Sequence, residues 1–64
     1  MNAKEIKEAK MLVRSIYPSQ EMFTRSFAHG TELVLKDGDY RTRLTTFEDV
    51  EEYARIHSQE IVYT

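Results

Sequence analysis

The chain has 64 residues, no cysteine, and 9 basic against 11 acidic side chains for a net charge of −2. A chain of that size forms one domain, 1–64, and buries only ~60% of the surface its unfolded form exposes, while the lack of cysteine excludes disulfides, thiolate chemistry and Cys-based zinc sites. The nearly balanced charge argues against a general nucleic-acid binder, which carries a basic excess, and no apolar run approaches the ~20 residues that span a bilayer.

The first eight residues, Met-Asn-Ala-Lys-Glu-Ile-Lys-Glu, are charged and amphipathic, unlike a signal peptide. The expectation is a complete small reading frame, soluble and cytoplasmic. Asn2 is a favourable N-cap, and Glu5 three residues later completes a capping-box pattern. Ala3, Ile6, Ala9, Leu12, Val13 and Ile16 recur at helical spacing, and Pro18 disfavours helical geometry at Tyr17. This predicts a helix over about Ala3 to Ile16. Its exposed side carries Lys4, Lys7, Lys10 and Arg14, read as a solvated face.

Residues Met22 to Ala28 alternate as a strand, and the turn that follows decides which side chains it buries. A two-residue turn turns Phe23, Arg25 and Phe27 outward. A three-residue Ala28-His29-Gly30 turn with a glycine bulge buries both phenylalanines. The second is preferred, because burying two phenylalanines gains ~3–6 kcal/mol, with Arg25 snorkelling to the sheet edge.

Glu32 to Phe47 is the stretch around which the chain is organised, two β-like runs joined near Asp37-Gly38. Asp-Gly suits a type I′ turn, which sets Lys36 opposite Asp39, Leu35 opposite Tyr40, Val34 opposite Arg41, Leu33 opposite Thr42 and Glu32 opposite Arg43. Leu33, Leu35, Tyr40, Thr42 and Leu44 then share one face. A Gly38-Asp39 turn is disfavoured because it sets Lys36 against Arg41. Thr46 and Asp49 form a helix-start signal, with Glu48 and Asp49 in the first turn where the dipole favours them. Phe47, Val50, Tyr53, Ala54 and His57 make the inward stripe of a helix ending near His57 or Ser58. Glu60 to Thr64 reads as a short fourth strand or a tail folded onto the core. The predicted architecture is α+β, order α-β-β-β-α, an antiparallel sheet with both helices on one face.

That order resembles the double-stranded-RNA-binding domain in topology alone. The family's second helix opens with a Lys-rich run and its loops include Gly-Pro-x-His, whereas this helix opens with Glu48-Asp49 and no such loop exists; membership is rejected.

No residue pattern carries catalysis. Asp37-Gly38-Asp39 is turn chemistry and not a metal site, since hard cations want six or more oxygens. His57 with Glu60, or His29 near Ser26, lacks an orienting third group. No cofactor or metal is expected. Two charged surfaces remain. Residues 46–58 carry four acidic side chains against one basic, so Glu48, Glu51, Glu52 and Arg55 offer a contact for a basic protein surface. Arg41 and Arg43 share one face of the third strand. The preferred reading is a non-enzymatic protein-interaction module, a small regulator or inhibitor of the bacteriophage or mobile-element kind, which binds a host protein through one of these surfaces. Two alternatives accompany it: a single-stranded nucleic-acid binder using Arg25, Tyr40, Arg41 and Arg43, and a homodimer paired through an exposed strand edge.

Overall fold

Asn2 and Glu5 cap the first helix reciprocally. The Asn2 side chain accepts the Glu5 N–H at 2.8 Å, and the Glu5 carboxylate accepts the Asn2 N–H at 3.0 Å, an arrangement worth ~1 kcal/mol. The computed structural model describes residues 1–62, and side chains as far as Ser58. In it the elements run α1 (Ala3–Ile16), β1 (Glu21–Phe27), β2 (Gly30–Asp37), β3 (Tyr40–Leu44) and α2 (Phe47–Val62). The strands form one antiparallel sheet in the order β1-β2-β3.

Both helices cover the same sheet face. Ile6, Ala9 and Val13 of α1 meet Leu33 and Leu35 of β2, Leu44 of β3 and Val50 of α2 in a single core, with Met22, Phe47 and Tyr53 packed half-buried around it. Each fully buried aliphatic side chain contributes ~1.5–3 kcal/mol. At the start of α2, Thr46 and Asp49 bond reciprocally: the Thr46 hydroxyl accepts the Asp49 N–H at 3.3 Å, and the Asp49 carboxylate accepts the Thr46 N–H at 3.2 Å.

Three expectations are corrected. The second hairpin turns at Gly38-Asp39, so that Asp37 faces Tyr40, Lys36 faces Arg41, Leu35 faces Thr42 and Leu33 faces Leu44. Gly38 has φ +61° and no non-glycine residue among those described has positive φ, which is the type II′ pattern with glycine in the first central position. The Lys36–Arg41 opposition is tolerated because Lys36 faces Glu21 on its other side and the Arg41 guanidinium lies over the Phe23 ring at 5.9 Å. Asp37, freed from the turn, accepts a hydrogen bond from Gln20 Nε2 at 3.0 Å. The offset is two residues, so every side chain keeps the face assigned to it.

The first hairpin closes on Phe27 opposite Gly30 through a two-residue loop, Ala28-His29, and Phe23 and Phe27 face away from the core. The hydrophobic gain expected from burying them is not realised because the two helices pack chiefly on β2 and β3; of β1, Met22 packs against the core. The adopted register instead places Glu21 opposite Lys36 and Arg25 opposite Glu32, two favourable cross-strand charge pairs. Finally, residues 60–62 continue α2 where a strand was expected; the remaining two positions of that expected strand lie outside the described residues.

Candidate binding face

Side chains alternate along a strand, so the pairing that sends the leucines inward sends a second set outward. Glu21, Phe23, Arg25 and Phe27 of β1 stand beside Glu32, Val34 and Lys36 of β2, and beside Arg41 and Arg43 of β3. Across the strands these make rows: Glu21–Lys36–Arg41, then Phe23–Val34–Arg43, then Arg25–Glu32. Four cations stand against two carboxylates on this face.

Val34 is only 1% exposed although both helices lie on the opposite side of the sheet. Its shielding therefore comes from neighbouring outward side chains, among them Phe23 and Arg43 in its own row. The phenylalanines remain accessible, Phe23 at 37% and Phe27 at 40%. Each has an arginine over its ring, Arg41 over Phe23 at 5.9 Å and Arg25 over Phe27 at 5.5 Å. Such cation–π contacts are worth ~0.5–1 kcal/mol at exposed sites. His29 stacks parallel to Phe27 with centroids 5.3 Å apart.

Glu32 is the buried charge of this face. Its side chain is 5% exposed, Arg43 Nε stands 4.0 Å from its Oε1, and that oxygen accepts no hydrogen bond from the described residues. The sequence expected Glu32 and Arg43 directly opposite one another. They instead meet diagonally, since Val34 is the residue opposite Arg43.

Of the residues singled out from sequence, Arg25, Arg41 and Arg43 are brought together on this face. Tyr40 is not: it sits opposite Asp37 on the helix-bearing side of the sheet, beyond the helices, and is 81% exposed. Glu48, Glu51, Glu52 and Arg55 are all exposed and line one shallow surface of α2, on the helical layer and apart from the outward sheet face. Lys36, His29 and the burial of Glu32 were missed. Hairpin parity was the signal for Lys36, since it shares the parity of Glu32 and Val34.

Tyr17 Oη lies 2.8 Å from His57 Nδ1, and Tyr53 stacks on the His57 ring at 4.0 Å, which fastens α2 to the corner between α1 and β1. No family model, curated protein or solved structure matches this chain.

Proposed function

We propose that the chain is a non-enzymatic protein-interaction module whose contact surface is the outward face of the sheet. The observation that carries this reading is the pair of accessible phenylalanines set among Arg25, Arg41 and Arg43 on a face that neither helix covers. Aromatic residues and arginine are enriched in the cores of protein interfaces and among the residues that dominate binding energy. A partner that covers this face desolvates the two rings without having to break the hydrophobic core beneath. The excess of cations favours an acidic partner surface and raises its association rate. The biological role that fits is a cytoplasmic regulator or inhibitor, of the kind mobile elements encode, acting on a host protein. The acidic surface of α2 is then the solvated side of the module.

A second reading, single-stranded nucleic acid, is favoured by the same outward register, because rings beside arginines form a stacking platform with cations for phosphates. One experiment separates the two. Tagged protein and its Arg41→Glu/Arg43→Glu variant are used as baits in bacterial lysate, with and without nuclease. The expected result is a stoichiometric protein band that survives nuclease and is lost with the double variant. Capture abolished by nuclease moves the assignment to nucleic acid. A protein band indifferent to the charge reversal sinks the sheet-face assignment and points to Glu48, Glu51 and Glu52.

A further inference from the structure

β1 is an unfinished edge. Six of its seven residues are exposed, and Met22 is half-buried. It is a terminal strand of the sheet, with no proline, lysine or bulge to block pairing; its two charges, Glu21 and Arg25, are of opposite sign and so complement each other in a second copy. The hairpin geometry shows which backbone groups are unsatisfied. Phe27 and Gly30 close a two-residue loop, so they form a hydrogen-bonded pair, and such pairs alternate with non-bonded ones along an antiparallel ladder. Glu21, Phe23, Arg25 and Phe27 therefore bond to β2, while Met22, Thr24 and Ser26 aim their N–H and C=O groups away from the sheet.

We infer that this edge pairs antiparallel with the β1 of a second copy, about a two-fold axis at Phe23. Charge decides the register. An axis at Glu21 or Arg25 sets like charges against each other. An axis at Met22, Thr24 or Ser26 sets Glu21 or Arg25 against phenylalanine. The axis at Phe23 places Glu21 of each copy opposite Arg25 of the other, and Phe23 opposite its own symmetry mate. These are the non-hydrogen-bonded positions of the new ladder, where facing side chains approach most closely. Met22 and Thr24 then exchange the backbone hydrogen bonds. Across the junction the row reads Lys36, Glu21, then Arg25 and Glu32 of the second copy, with charge alternating at each step.

The result is one continuous six-stranded sheet with all four helices on one side and a doubled outward face. A single pair of strand edges buries less than the ~800 Å² per partner of a standard interface, so the dimer is concentration-dependent. The pairing shares Phe23 and Arg25 with the contact face proposed above, but Arg41 and Arg43 lie on the opposite edge strand, so charge reversal there and Thr24→Pro test the two readings separately.

Sedimentation equilibrium of the full chain tests it. The mass is expected to rise from 7.6 kDa towards twice that value between low micromolar and near-millimolar concentration. Thr24→Pro removes an outward N–H that the chain's own sheet does not use, and edge strands accept proline. That variant is expected to keep its circular dichroism spectrum and stay at single-chain mass. Glu21→Arg and Arg25→Glu are each expected to weaken self-pairing by roughly tenfold or more, since two symmetry-related pairs turn repulsive together. Mixed in equal amounts, they are expected to form a heterodimer in which both pairs are attractive. A wild-type chain monomeric at every concentration, a dimer that survives Thr24→Pro, or a mixture that stays monomeric would overturn the inference.

Discussion

Replacing Arg43 tests whether the outward face is held together electrostatically around a buried carboxylate. Arg43 Nε stands 4.0 Å from Glu32 Oε1, a distance at which two unit charges attract by ~4 kcal/mol at an effective dielectric near 20. Two effects reduce that figure. The Arg43 side chain is 64% exposed and its charge is screened by water and salt, and the Glu32 carboxylate has given up hydration to sit at 5% exposure. A net coupling of ~1–2 kcal/mol remains. Removing the cation also leaves a buried carboxylate short of compensation, which is costlier than losing an exposed ion pair. Arg43→Gln is therefore expected to lower Tm by ~5–15 °C at fixed protein concentration, using ~4–8 °C per kcal/mol for a domain of this size. In a Glu32→Gln background the same substitution is expected to move Tm by no more than ~4 °C, since there is no charge left to strand. The assay is a double-mutant cycle by thermal and urea denaturation, in low and high salt, with the coupling shrinking in high salt. Equal effects of Arg43→Gln in both backgrounds would refute the reasoning.

Gly38 has φ +61°, and a Cβ placed there would meet nothing within 4 Å, so Gly38→Ala is expected to cost ~1–2 kcal/mol from backbone strain alone. Gly38→Asn is expected to cost less, and urea midpoints at constant m-value check both. Tyr17→Phe deletes the hydroxyl 2.8 Å from His57 Nδ1 and is expected to lose ~1 kcal/mol. Because that contact joins α2 to the α1–β1 corner, faster amide exchange in the later turns of α2 is the accompanying sign; unchanged exchange would mean the hydroxyl is not what secures the helix.

Short-range chemistry determined a great deal. The span of α1 follows from Asn2, Glu5 and Pro18, the start of α2 from Thr46 and Asp49, and the core from the spacing of Ile6, Ala9 and Val13 against Leu33, Leu35 and Leu44. Each of these signals acts within a turn or two of backbone, or repeats with the period of its own element, so no distant partner is needed to express it. The membership of Arg41 and Arg43 on one strand face was legible for the same reason.

What only the tertiary structure decided is the register of the strands, and with it the candidate site. Asp37-Gly38 and Gly38-Asp39 are both acceptable turns, and the choice fell to contacts beyond the hairpin: Glu21 beside Lys36, Phe23 beneath Arg41, and Gln20 bound to Asp37. The outward position of Phe23 and Phe27 depends on how far two helices reach across three strands. They pack chiefly on β2 and β3, and of β1 Met22 packs against the core, so burial, which favoured turning the phenylalanines inward, had little surface on which to act. A sequence states which residues prefer to be buried; the width of the layer available to bury them is a property of the assembled fold.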